Sequence, residues 1–366
     1  MRIETVGIIG AGTMGAGIAI NLAQHGFKVV LHDARAEAAE AALAAAAAFY
    51  DRAVEKGRMT EEAADTARAH LAVADDLQGL APAGLVIEAV FEDFALKARL
   101  FEALQPHLRA DALVATNTSC LRVGDLAAHV GDPARFLGLH YFSPAAVNPI
   151  VEVVEGAETA PAAIEAALAF CRASGKVPLR CRDSWGFAVN RFFCPYTNEA
   201  ARALDDGLGS TAEIDQVARD VLGAAAGPFL VMNLIKPRIN LHAIRNLAPL
   251  GAFYAPAPAM VAAGEADRPF AIGEAALIEP ERARKIADRL LAGVFVPVLQ
   301  ALDEEVAAPD VFDLGAREAL KFGSGPCALM DRLGQGEVRR IVTPALARHD
   351  MPVPDSLARV GSLVAE

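Results

Sequence analysis

The feature that most restricts this chain is its first glycine cluster, Gly10-Ala11-Gly12-Thr13-Met14-Gly15. It directly follows an apolar run over 3–9 (IETVGII) and opens a helix-forming stretch over 14–25. In a strand–turn–helix of this kind the first glycine permits the tight turn. The second lets the backbone approach a pyrophosphate, and the third lets helix pack closely on strand. The N-terminus of that helix then offers unpaired N–H groups and partial positive charge to a diphosphate. A second strand over 27–32 (FKVVLH) ends next to Asp33, 23 residues after Gly10. An acid there accepts hydrogen bonds from ribose hydroxyls and repels a 2′-phosphate, so NAD is expected over NADP, with Arg35 near enough to soften the preference. Gly10, Gly12, Thr13, Met14, Gly15 and Asp33 are therefore candidate cofactor contacts; a glycine turn that binds nothing is the weaker alternative.

The rest of the first half continues the alternation. Strands are predicted at 85–90, 112–116, 135–140, 149–154 and 177–181, with helices between them, one of them over 160–174. An Ala-rich stretch over 35–50, broken at Lys56-Gly57-Arg58 and followed by a helix from Thr60 to about 70, reads as an inserted helical hairpin. The expected fold class is an α/β, Rossmann-like doubly wound sheet, mostly parallel and covered on both faces. From 187 onward the pattern is helical only, so the boundary falls near 184.

The helical half repeats itself. Residues 202–233 lie over 300–331 at a constant offset of 98, matching Leu204 with Leu302, Asp215 with Asp313, Arg219 with Arg317 and Gly227-Pro228 with Gly325-Pro326. The expectation is an all-α domain of two repeated units, with divisions 1–184, 185–284 and 285–366, packed as a pseudo-two-fold pair within one chain. A monomer built this way, or a homodimer, is expected.

Composition narrows the class of function. A formal net charge of −12 argues against nucleic-acid binding, which needs surplus Lys and Arg. The five cysteines are scattered and lack C-x-x-C spacing, so a reduced, cytoplasmic setting is expected and a bound metal is not. The N-terminal residues show no signal-peptide pattern, and no apolar run is long enough for a membrane span.

Candidate chemistry lies beyond the carboxyl ends of the predicted strands, where ligands bind in such sheets. Asn117 and Ser119 follow the strand at 112–116. His140 ends the strand at 135–140, and a turn built from Pro144 and Pro149 can bring Glu152 back beside it. A carboxylate next to an imidazole fixes its tautomer and stabilises the imidazolium. Such a histidine can take a hydroxyl proton while the carbon loses hydride to a nicotinamide.

Together these segments resemble the L-3-hydroxyacyl-CoA dehydrogenase family. The matching pieces are GIIGAGTMGAGIA (7–19), VIEAVFEDFALK (86–97), ATNTS (115–119), GLHYFSP (138–144), IVEVVEG (150–156), DSWGFAVNR (183–191) and GAAAGPF (223–229), in order across roughly 1–230. The resemblance implies that His140 and Glu152 form the catalytic couple and that Ser119 and Asn190 meet the substrate's reacting oxygen. It implies that Glu92, Lys97, Asn117 and Ser143 serve the cofactor side, Ser143 standing where many relatives have asparagine. It also implies that Lys56 on the hairpin, like Ser119, contacts the CoA substrate. The HYFSP wording and the tandem helical units resemble the dehydrogenase portion of multifunctional fatty-acid oxidation enzymes, which implies β-oxidation chemistry on an acyl-CoA.

The departures concentrate at 233–247 (NLIKPRINLHAIRNL). Relatives carry an aspartate and then a glycine there; the second unit keeps Met330-Asp331-x-x-Gly334, whereas the first has Asn233 and Lys236-Pro237. Lys236, Arg238 or Arg245 is a candidate to meet a second anionic group on the substrate; an altered joint with solvated charges is the plainer expectation. Two rival functions stay open: an NAD-dependent 3-hydroxy acid dehydrogenase acting without CoA, and a catalytically silent NAD-binding homologue.

Overall fold

The computed structural model describes residues 3–364. The chain divides into two compact units, one ending at Asp183 and the other beginning at Ser184. The first is a sheet covered by helices. Its elements are β1 (Thr5–Ile9), α1 (Thr13–Gln24), β2 (Lys28–His32), α2 (Ala36–Glu55), α3 (Glu61–Ala69), β3 (Leu71–Val73), β4 (Leu85–Glu88) and α4 (Phe94–Leu104). β5 (Leu113–Thr116), α5 (Val123–Ala127), β6 (Phe136–Tyr141), β7 (Ile150–Glu155), α6 (Pro161–Ala173) and β8 (Val177–Arg182) complete it.

The eight strands are ordered β3-β2-β1-β4-β5-β6-β7-β8. All neighbours are parallel except β6 and β7. Every residue of β4, β5 and β6 is buried, which is why they read as mostly apolar runs: helices cover both faces. β3 escaped the sequence reading because it has three residues, two of them exposed, and so carries neither alternation nor an apolar run.

The hairpin forms as its composition dictates. α2 runs five residues beyond 50, because nothing breaks it before Gly57, which takes φ 64°. Ala39, Ala42 and Ala46 form its buried stripe, and the Tyr50 hydroxyl donates to the Ile20 carbonyl of α1 at 2.9 Å. The Thr60 side chain caps α3 by accepting from the Ala63 N–H.

The second unit is helical: α7 (Val189–Asp205), α8 (Thr211–Leu222), α9 (Pro228–Ile235), α10 (Pro237–Asn246), α11 (Pro258–Glu265), α12 (Pro280–Asp303), α13 (Pro309–Glu318), α14 (Pro326–Leu333) and α15 (Gln335–Arg348). Its most extensive helix packing joins α7 to α12. Asp215 Oδ1 and Oδ2 accept from the Phe229 and Leu230 N–H groups at the start of α9. Asp313 accepts in the same way from Cys327 and Ala328 at the start of α14. The joints 222–225 and 321–323 hydrogen-bond to each other: Gly323 N–H donates to the Leu222 carbonyl, and Ala225 N–H to that of Lys321. Among the described residues no helix is long and apolar enough to cross a membrane.

Candidate active site

The glycine turn has the geometry a dinucleotide requires. Gly10 sits at φ 99°, and a Cβ there would lie 2.6 Å from the Ala89 carbonyl oxygen. A Cβ on Gly15 would lie 1.8 Å from the Gly10 backbone oxygen, so helix and turn meet there only because Gly15 lacks a side chain. At Gly12, by contrast, a Cβ would meet nothing within 4 Å: the exposed side of the turn is open. No side chain caps α1, which leaves its N-terminus available to an anion. Thr13 is exposed and Met14 half-buried beside it. Asp33 follows β2; its Oδ2 accepts from Ala11 N–H at 2.8 Å and its Oδ1 from Arg35 N–H at 2.9 Å. Its carboxylate is thus held against the glycine turn before any ribose arrives. These residues fit NAD.

Beyond β4 and β5 lies a buried polar cluster. Glu88, fully buried at the end of β4, accepts from Lys97 Nζ at 2.6 Å, Val90 N–H at 2.7 Å and Thr116 Oγ1 at 2.7 Å. Lys97 Nζ also lies 3.3 Å from Glu92 Oε2. Glu92 Oε1 accepts from Thr118 Oγ1 and from the N–H groups of Ser119 and Cys120. Burial pushes the Glu92 carboxyl up, but Lys97 and those hydrogen bonds outweigh it and hold it below the ordinary glutamate range. Lys97, expected on the cofactor side, has a side chain 1% exposed and turned to two carboxylates. Glu88 was missed; its one signal is an acid inside an otherwise apolar strand.

Asn117 Oδ1 accepts from the Tyr141 N–H at 2.8 Å, tying the loop after β5 to the end of β6. There the antiparallel register pairs His140 with Glu152. His140 Nδ1 lies 2.7 Å from Glu152 Oε2, with the glutamate fully buried and the histidine 6% exposed. An ionised carboxylate can only accept, so the hydrogen bond between them is donated by Nδ1–H. The Phe142 ring lies 4.5 Å from the imidazole, and Ser143 is exposed just beyond. Lys56 is exposed at the C-terminus of α2, on the hairpin. Asn190 belongs to the second unit, in the first turn of α7.

The divergent segment has structural occupations. Asn233 Nδ2 donates to the Phe270 carbonyl and its Oδ1 accepts from the Phe270 N–H. Asp331, at the offset of 98, accepts from the N–H groups of Gly361, Leu363 and Val364. Arg245 pairs with Glu265 at 2.7 Å, and Arg238 lies 3.9 Å from Asp267. Lys236 is exposed at φ 89°, and Gly334, at the offset of 98, takes φ 80°.

Comparison with known proteins adds to this geometry. The family profile described as "3-hydroxyacyl-CoA dehydrogenase, NAD binding domain" matches residues 5–184, and "3-hydroxyacyl-CoA dehydrogenase, C-terminal domain" matches 186–269. The chain belongs to the 3-hydroxyacyl-CoA dehydrogenase family. It is 39% identical over 240 residues to the 3-hydroxyadipyl-CoA dehydrogenase of Escherichia coli (strain K12), covering 66% of this chain but only half of that protein. To a probable 3-hydroxybutyryl-CoA dehydrogenase of Deinococcus radiodurans it is 33% identical, over 63% of this chain and 82% of the other. The crystal structure of 3-hydroxybutyryl-CoA dehydrogenase from Escherichia coli K12 superposes with a TM-score of 0.88 at 25% identity, covering 99% of both chains. The first unit of this family member is thus an NAD-binding domain of 3-hydroxyacyl-CoA dehydrogenase type, and it carries the glycine turn, Asp33, the Glu92 cluster, His140 and Glu152.

Proposed function

We propose that the protein interconverts an (S)-3-hydroxyacyl-CoA and the 3-oxoacyl-CoA, with His140 and Glu152 as the proton-transfer couple. The observation that carries this reading is the 2.7 Å contact between His140 Nδ1 and buried Glu152, in the domain that holds the dinucleotide turn. NAD, when bound, supplies the acceptor for the hydride from C3. His140 Nε2 takes the hydroxyl proton in oxidation and returns it in reduction, while Glu152 stabilises the imidazolium. Ser119 and Asn190 hold the C3 oxygen. Asp33 meets the ribose; Glu92, Asn117 and Ser143 line the cofactor side; Lys56 and Ser119 meet the CoA portion.

The helical half is read as two copies of one unit, divided near 284, acting as an internal pseudo-dimer. The matched caps of Asp215 and Asp313 and the mutual hydrogen bonds of the two joints support this. Five buried thiols accord with a reducing, cytoplasmic setting.

The test is NADH formation across a panel of 3-hydroxyacyl-CoAs. His140→Gln lowers kcat by about 10²–10⁴, the usual worth of a general base, with NADH affinity nearly unchanged. Near-normal turnover in that variant removes the histidine from the mechanism. Free CoA should compete with substrate; absence of competition shifts the reading to a 3-hydroxy acid without CoA.

A further inference from the structure

The three-residue turn between α6 and β8, Ser174-Gly175-Lys176, touches both the C-terminal end of α1, the helix that the glycine motif opens, and the connection between β6 and β7. On one side it grips α1: Asn21 Nδ2 donates to the Ser174 carbonyl at 3.1 Å, and a Cβ on Gly175 would lie 2.3 Å from His25 Nε2. On the other side Lys176, 4% exposed, donates from Nζ to the carbonyls of Ala145 at 2.7 Å and Asn148 at 2.6 Å. Both belong to the connection between β6 and β7. That connection also lies against α1, where a Cβ on Gly17 would come within 3.1 Å of Ala145 Cβ.

A buried ammonium held by two carbonyls instead of a carboxylate is an expensive arrangement. Burial pushes its amine down to about 8, with the buried Cys171 thiol as the nearby titratable group pulling the other way. Nothing in the hydride or proton transfer needs this lysine. Its effect is geometrical: it fixes residues 145–148 onto the same turn that holds the helix of the glycine motif. Without it the connection keeps its own turn, Val147 and Asn148 N–H to the Pro144 carbonyl, but loses its anchor.

We propose that Lys176 is a positioning residue for the cofactor, fastening the β6–β7 connection, with Ser143 at its start, to the helix that receives the dinucleotide. This rests on the reading that NAD sits on the Gly10 turn. The His140–Glu152 couple is held independently, by the ladder pairs Leu139 with Val153 and Tyr141 with Val151. Loss of the anchor therefore weakens cofactor binding and leaves proton transfer in place.

The experiment compares wild type with Lys176→Met, which keeps the apolar arm and removes the donors. NADH Kd, read by titration, is expected to rise about tenfold, the scale of a lost charge-assisted hydrogen bond, while kcat at saturating NAD stays within about threefold. In the cofactor-free protein, hydrogen exchange of the Val147 and Asn148 amides should speed up, and that of the 138–141 amides should not. Lys176→Gln, with a shorter arm that still carries two donors, serves if the methionine variant does not fold, and the same direction is expected. Unchanged NADH affinity in a folded variant, or a collapse of kcat at unchanged affinity, overturns the proposal. Wild type that binds no NADH overturns the cofactor reading as well; wild type that binds while the variant matches it overturns this inference alone.

Discussion

Replacing Lys97 by methionine puts the buried cluster beyond β4 to a quantitative test. In the native site Lys97 Nζ is 2.6 Å from Glu88 and 3.3 Å from Glu92, with Lys97 and Glu88 essentially without solvent and Glu92 22% exposed. Removing the cation leaves a buried carboxylate with two neutral donors, Val90 N–H and Thr116 Oγ1, and a second carboxylate nearby. Breaking a buried pair from one side costs about 3–5 kcal/mol, because the remaining charge is uncompensated. The low exposure of Lys97 and Glu88 leaves little solvent screening to discount. The pH dependence follows from Glu92, whose carboxyl burial raises and Lys97, above all, lowers. In wild type its folded value lies below the unfolded one, so its stabilisation is present above the unfolded value and is lost as pH falls through the folded value. Without Lys97 that stabilisation is smaller, so the gap between the two proteins should shrink as pH falls through the folded value of wild-type Glu92. Urea unfolding at neutral and at acid pH reads it. Lys97→Met/Glu88→Gln should recover most of the loss, since the stranded charge is gone. A gap below about 1 kcal/mol that is flat with pH would refute the reasoning, because a buried pair broken from one side cannot be that cheap.

Two further predictions concern the helical unit. Asp313→Asn leaves one of the two cap acceptors at α14 and should cost about 1–2 kcal/mol in denaturant unfolding. Burial raises the Asp313 carboxyl against its backbone hydrogen bonds, so wild-type stability should fall as pH rises from its unfolded to its folded value, and the neutral variant should lose that slope. Lys236→Gly relieves a non-glycine residue at φ 89° and should stabilise the fold by about 1 kcal/mol or more. If the substrate-recognition idea for Lys236 holds, the same change should lower kcat/KM for acyl-CoAs with a terminal carboxylate more than for those without. Equal effects assign the lysine to the joint alone.

What could be read in the sequence is what backbone geometry demands. The glycine turn, Asp33 and the buried strands declare themselves because only certain residues fit a close helix–strand contact or a sheet covered on both faces. The antiparallel return that sets Glu152 against His140 was readable from the prolines between them and the short connection. Asn233 is legible as a departure within an altered joint but not in its bonding: the structure shows its amide gripping the backbone of Phe270, as Asp331 grips 361–364. Glu88, Lys97 and Lys176 were the hardest. In sequence a charged letter is by default a solvated one, and only Glu88, inside an apolar run, carries a local sign of burial. Their partners come from other elements: Thr116 from β5 for Glu88, and Ala145 and Asn148 from the β6–β7 connection for Lys176. Glu92, beside Lys97, holds the loop after β5, and Lys176 holds the β6–β7 connection. The proposed chemistry is thus declared by short motifs, whereas the buried charges around it take partners that only the folded sheet brings within reach.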